Sequence, residues 1–279
     1  MAKYALLREA VIGERVVPAE RVLDPARVDS GALELVHTPE YVRRFSAGLL
    51  DAGELRRLGF PWSEALVERS FRAVGGTIAA ARHALAHGIA MNLAGGTHHA
   101  FPDHGEGFCV FNDVAVAIRL LQREGLVTRA AIVDLDVHQG NGTHAIFAGD
   151  EDVHTFSMHG GKNYPFHKVA GTLDVELPDG TGDERYLAEL RATLPRVLAA
   201  AAPDLVVYIA GADPHEGDQL GRLSLTFDGL ARRDAFVLES CREVGIPVAI
   251  TIGGGYGRRI EDTVTAHLRT VRVASVMAV

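Results

Sequence analysis

Cysteine is almost absent from this chain. Cys109 and Cys241 are the only two in 279 residues, too few and too far apart for a disulfide framework or a cysteine-based zinc site. That scarcity suits a reducing compartment, and the chain reads as cytoplasmic. Positive charge is also short: 28 Lys and Arg stand against 36 Asp and Glu, a formal net charge of −8, and no basic run interrupts the sequence. Direct binding to nucleic-acid backbones is therefore not expected. No stretch approaches the run of about 18 apolar residues that a membrane span needs. The opening MAKYALLREAVIGERVV also lacks an apolar signal core with a small-residue cleavage site, so no membrane partner is expected.

What is present is a globular composition, with 47% apolar residues, enough for a core that needs no staples. Histidine is unevenly spread: eight of the 13 fall between His98 and His167, about a quarter of the chain. One histidine in a loop or at a helix end needs no functional account, whereas this concentration marks where chemistry is to be sought.

Apolar runs, amphipathic stretches and Gly-rich breaks alternate along the chain in the order strand, loop, helix. Ser63 to His87 has helical spacing and runs into a strand at Ile89 to Ala94. Asn112 is placed to cap the helix DVAVAIRLLQREG, and AAIVDLD, Ala130 to Asp136, reads as a buried strand. Further strands are expected at Val153 to His159, Leu173 to Leu177, Asp204 to Ala210 and PVAITI. Helices are expected from Asp183 to Ala202, from Thr226 or Asp228 to Glu243, and from about Ile260 to Val271. Near the start, LELVH is expected as a strand and PEYVRRFSAGL as a helix with Pro39 in its first turn. The pattern implies one α/β domain spanning residues 1–279, an open, mostly parallel sheet with helices on both faces. In such sheets ligands gather beyond the carboxyl ends of the strands. His98 and His99, then Asp136 and His138, then Asp213, then Tyr256 each follow a different strand.

In IVDLDVHQGNG, alternation along a strand would send Asp134, Asp136 and His138 to one side. Buried carboxylates beside an imidazole are costly unless a cation compensates, and a metal ion is the simplest one. A catalytic zinc takes three protein ligands, so a third is needed, and Asp213 in IAGADPHEGD is the best candidate. The GGTHHA loop offers two adjacent imidazoles that could share general acid and base duties. GGGYG carries a phenol able to donate to a developing oxyanion.

Taken in order, GGTHHA, GFCVFND, IVDLDVHQGNGT, TFSMH, AGADPHEGDQLGRLSLT and GGGYGR resemble the zinc-dependent histone deacetylases and their bacterial relatives, of the arginase–deacetylase fold. The resemblance runs from about residue 34 to about residue 270. Asn141 after DVHQG, and LPDGTGDERYL, are more like the class IV and bacterial branch. It implies that Asp136, His138 and Asp213 bind zinc, with iron as the alternative metal. It implies that His98 and His99 are the catalytic pair, oriented by Asp134 and Asn141, that Tyr256 supplies the oxyanion hydroxyl, and that Phe108 and Tyr164 line the substrate channel. A structural potassium is implied beside the zinc, held by Asp134, Asp136, His138, Ser157 and Met158. Relatives usually carry a further strand ahead of the segment matching MAKYALLRE, so that strand is expected to be missing here.

The expected activity is hydrolysis of an N-acyl amide, acetyl-lysine first, with acetylpolyamine or longer acyl-lysine as alternative substrates. A two-manganese arginase-like site is disfavoured, because Asn141 and Pro214-His215 stand where further acids would be needed. A non-catalytic acyl-lysine-binding module is disfavoured because ligands, histidine pair and tyrosine are all present.

Overall fold

Parallel strands buried on both faces must be apolar almost without interruption, and the apolar runs of this chain fold as such strands. The computed structural model describes residues 2–278. In chain order the elements are α1 (Ala2–Gly13), α2 (Ser30–Leu33), α3 (Pro39–Ser46), α4 (Ala52–Leu58), α5 (Glu64–His87), β1 (Ile89–Asn92), α6 (Asp113–Arg123), β2 (Ala130–Asp134), α7 (Asn141–Ile146), β3 (Val153–Gly160), β4 (Leu173–Leu177), α8 (Asp183–Ala201), β5 (Leu205–Ile209), α9 (Phe227–Glu243), β6 (Val248–Thr251) and α10 (Ile260–Met277). The strands form one sheet in the order β1-β6-β5-β2-β3-β4, with every pairing parallel.

Alternation by two distributes each strand between two cores. Ala131, Val133, Val206 and Tyr208 pack with Leu190, Leu194, Val237 and Leu238 of α8 and α9. Ala130, Ile132, Val207 and Ile209 pack on the opposite face with Ala81, Ala84, Val114 and Ile118 of α5 and α6. Every residue of β2 and β5 is buried, and each large aliphatic side chain among them contributes about 1.5–3 kcal/mol. Side chains cap the helices where local chemistry allows: Ser63, Asn112 and Thr226 accept backbone N–H groups of Leu66, Ala115 and Gly229.

LELVH is not a strand. Asp29 caps a short helical turn by accepting Ala32 N–H at 2.8 Å, the turn continues with His37 N–H donating to Leu33 C=O, and Leu33 is buried among helices. The alternation of strand and helix also fails once, because β3 and β4 pair in parallel across a connection, residues 161–172, that contains no helix. Besides the turn α2, three helices were not expected: α1, which buries Leu7 and Val11 against Leu268 and Val271 of α10, and the short α4 and α7. Helix α10 runs beyond Val271 to Met277.

From β2 the chain moves outward through β3 to β4, and from β5 it moves the other way to β6. The carboxyl ends of the adjacent strands β2 and β5 are therefore the point where strand order reverses, the usual place for a ligand crevice in such a sheet. Among the described residues, no helix is long and apolar enough to cross a membrane.

Candidate active site

Four loops leave the carboxyl ends of the neighbouring strands β1, β6, β5 and β2 and surround one cavity of about 1000 Å³. Its wall includes His98, His99, Phe108, Asp136, His138, Tyr164, Asp213 and Tyr256. Of the eight histidines between residues 98 and 167, only three line it. His144 and His159 instead lie near Asp174, at 3.8 and 3.9 Å, so the concentration of histidine is only partly functional.

The loop after β1 is held by Asp113, which is fully buried in the first turn of α6. Its carboxylate accepts Thr97 N–H at 2.7 Å and Gly96 N–H at 3.1 Å, and the Thr77 hydroxyl donates to it from α5. The next two residues, His98 and His99, are thereby fixed over the sheet. Gly96 approaches the loop after β6 so closely that a Cβ there would lie 2.5 Å from Gly253 Cα.

The two imidazoles have unlike partners. His98 Nδ1 donates to the buried Asp134 carboxylate at 2.6 Å, and His99 Nδ1 donates to the Asn141 amide oxygen at 2.7 Å. Burial disfavours charge on His98, but the Asp134 and Asp136 carboxylates outweigh it and hold that imidazole up at about 9. His99 has no such carboxylate partner: burial, then the neighbouring His98 and His138, push it well below the ordinary histidine value. The unlike partners thus favour charge on His98 and neutrality on His99.

Strand β2 ends at Asp134, so alternation does not place Asp136 and His138; a bend does. Asp136 N–H donates to Asp134 Oδ1 at 3.1 Å and His138 N–H donates to Asp136 Oδ1 at 3.0 Å, which turns both side chains back over the strand end. Asp213, beyond β5, accepts Val137 N–H at 2.9 Å. His138 Nδ1 then faces Asp136 Oδ1 at 3.1 Å and Asp213 Oδ2 at 3.2 Å. One donor atom from each of the three lies within 4.8 Å of the others, all buried.

That donor set fits a divalent metal. Two carboxylates this close in a buried pocket oppose each other's charge: burial, and then Asp136, push Asp213 up to about 7. A cation among the three donors removes that conflict, and two oxygens with one imidazole nitrogen suit zinc or ferrous iron. Only glycine fits beside these donors at position 254, since a Cβ there would fall 2.0 Å from Asp213 Oδ2 and 2.8 Å from Asp136 Oδ2. In the sheet register Asp134 stands opposite Ser157, with Met158 next along β3.

Tyr256 sits in the loop after β6, where its N–H donates to Asp218 Oδ2 and its ring packs 5.7 Å from that of Phe108. Burial, with the nearby acids, raises its phenol, so the hydroxyl keeps its proton and can donate. Phe108 is held by Leu58 C=O at the end of α4, which accepts its N–H at 2.9 Å. Its φ of 66° is left-handed for a bulky side chain, a strain on the order of 1 kcal/mol or more borne where the ring meets the cavity. Tyr164 stands edge-on to His99, ring centroids 5.0 Å apart.

Sequence reasoning did not single out Asp113, Asp218, Arg233 or Glu106. Each acts on the site through a group far along the chain, Asp113 on Thr97, Asp218 on Tyr256, Arg233 on the Gly211 and Leu135 carbonyls, Glu106 on Asn141. The only local signal is at Asp113, an acid that opens a helix otherwise buried along most of its length.

Residues 1–271 match the family described as Histone deacetylase domain. The chain is 48% identical over 274 residues to an uncharacterized protein of Picosynechococcus sp., covering 98% of this chain and 91% of the other. It is 31% identical over 265 residues to Histone deacetylase 2 of Arabidopsis thaliana, covering 91% and 68%. The fold matches that of an HDAC homolog from Aquifex aeolicus with a TM-score of 0.84 at 23% identity, over 98% of this chain and 77% of that one.

Proposed function

The chain belongs to the histone deacetylase family, and from that premise we propose that this deacetylase uses a bound zinc, or ferrous iron, to hydrolyse the amide of an acylated lysine, acetyl-lysine foremost. One observation carries the reading: a buried Asp136–His138–Asp213 donor set shares a cavity with two imidazoles, one bonded to the Asp134 carboxylate and the other to the Asn141 amide.

Asp136, His138 and Asp213 hold the metal, which when bound polarises the acyl carbonyl and acidifies a water beside it. The chain's own groups do the rest. His99, with Nδ1–H given to Asn141, presents its Nε2 lone pair as the base that takes the proton of the attacking water. His98, charged against Asp134, stabilises the negative charge that builds on the reacting centre. The Tyr256 hydroxyl donates to the oxygen that was the carbonyl, an interaction strongest in the transition state. His99 then returns its proton to the leaving amine. Phe108 and Tyr164 form walls for a linear side chain, and Asp134 and Ser157, with backbone oxygens of Asp136, His138 and Met158, would hold a potassium ion whose charge would offset the buried carboxylates.

The deciding experiment is turnover by zinc- or iron-loaded protein on acetyl-lysine peptides, longer acyl-lysine peptides and acetylated polyamines. Fastest release of acetate from the acetyl-lysine peptide supports the reading. Faster turnover of a polyamine moves the substrate to small amines, and no release from any substrate at full metal occupancy rejects hydrolysis.

A further inference from the structure

The Asn141 amide is gripped from two sides. Its Oδ1 accepts His99 Nδ1–H at 2.7 Å, and its Nδ2 donates to Glu106 Oε1 at the same distance. Glu106 lies in the loop that carries Phe108. Its Oε1 also accepts the Tyr164 hydroxyl at 2.7 Å, and His104 Nε2 stands 3.7 Å from Oε2. Burial works to raise this carboxyl, but the nearby His104 and hydrogen bonds from Asn141 and Tyr164 prevail and hold it below its ordinary value, so it is an anion at neutral pH.

An ionised carboxylate has no proton to give, so only the NH₂ edge of an amide can face it. The reverse rotation of Asn141 would set two acceptor oxygens against each other at hydrogen-bond distance. Asn141 is only 4% exposed, so water cannot relieve that contact. With Nδ2 committed to Glu106, the group left facing His99 is an acceptor. His99 must therefore carry its proton on Nδ1, which leaves the lone pair on Nε2. An asparagine without this partner could present either edge, and with Nδ2 toward His99 the lone pair would sit on Nδ1, away from the substrate.

We propose that Glu106 is a positioning residue that, through Asn141, sets the tautomer of His99 and so keeps Nε2 as the proton acceptor. Its catalytic consequence rests on the deacetylase mechanism given above; the tautomer itself does not. The same geometry explains why an amide suits position 141 in this chain. An aspartate there would put a second carboxylate oxygen 2.7 Å from Glu106 Oε1.

The test compares zinc-loaded wild type, Glu106→Gln, Asn141→Asp and the double variant on an acetyl-lysine peptide. Asn141→Asp alone is expected to lose about 100-fold in kcat with KM changed less than about threefold, because binding groups are untouched. In the double variant the amide introduced by Glu106→Gln can donate to the new carboxylate, and kcat is expected to recover at least about tenfold, a coupling that independent sites do not show. Equal losses from Asn141→Asp in the wild-type and Glu106→Gln backgrounds would overturn the proposal. Imidazole ¹⁵N spectra supply a readout that needs no turnover: His99 is expected as pure Nδ1–H in wild type and as mixed tautomers in Glu106→Leu. Pure Nδ1–H in a folded Glu106→Leu protein would also overturn it, and if that variant does not fold, the comparison in the Glu106→Gln background decides. Should no acyl substrate be hydrolysed while the tautomer follows Glu106, the functional reading fails and the positioning role stands.

Discussion

The His37 imidazole accepts the backbone N–H of Asn112 at 2.9 Å through Nε2 while Nδ1 donates to Phe101 C=O at the same distance. One side chain thus ties the turn before α3 to both ends of the loop that carries Phe108. Only the neutral ring can do this, because a protonated imidazole has no acceptor. Burial accordingly lowers His37 to about 4, despite backbone carbonyls that favour its charge.

The sign follows from proton binding. Between about 4 and the unfolded value near 6.5, the unfolded chain binds a proton at His37 that the folded chain does not, so stability falls as pH falls through that window. The full effect is about 3 kcal/mol and is complete below pH 4. Urea unfolding at pH 7 and pH 5 should show a steeper loss for wild type than for His37→Gln; parallel losses would remove His37 from the acid response.

Asp213→Ala removes one of two anionic donors, and metal content after reconstitution should drop sharply. Gly254→Ala is expected to do the same without touching a donor, because its Cβ would occupy the space of Asp213 Oδ2. Stoichiometric zinc in both variants would dismiss the three-donor assignment.

Tyr256→Phe should keep metal and fold while losing on the order of 100-fold in kcat, since the hydroxyl acts on charge that appears only in the transition state. An unchanged kcat would take Tyr256 out of the chemistry.

His99→Ala is expected to be the more damaging change of the histidine pair. It removes the neutral base, whereas His98→Ala removes an electrostatic partner already charged by Asp134. Steady-state rates for the two variants at matched metal content check this, and a larger loss from His98→Ala would reverse the roles.

Arg233→Met should cost on the order of 3–5 kcal/mol, the range for breaking a buried ion pair from one side. The fully buried guanidinium pairs with Asp234 and donates to Gly211 C=O at 2.7 Å and Leu135 C=O at 3.2 Å, bracing the backbone just ahead of Asp213 and Asp136. Denaturation midpoints measure it, and a loss under about 1 kcal/mol would mean that the brace is dispensable.

What the sequence by itself determined is whatever depends on neighbours a few residues apart. Strands β2 and β5 were legible because burial on two faces demands unbroken apolar runs, and Asn112 could be read as a cap because a cap bonds its own helix. The candidate metal donors and histidine pair were legible because polar residues at the ends of apolar strands gather at one rim in a parallel sheet. The tertiary structure decided what rests on partners far along the chain. LELVH has no strand beside it to pair with and folds as a capped turn, while α1 exists as a packed helix only against α10. Asp136 and His138 are aimed by bonds to Asp134 and Asp136, and by Asp213 held on Val137 N–H, rather than by strand alternation. Glu106 and Asn141 are 35 residues apart in sequence and one hydrogen bond apart in space. Side-chain pairings of that kind are set by how loops meet once the sheet has formed, and no local pattern encodes them.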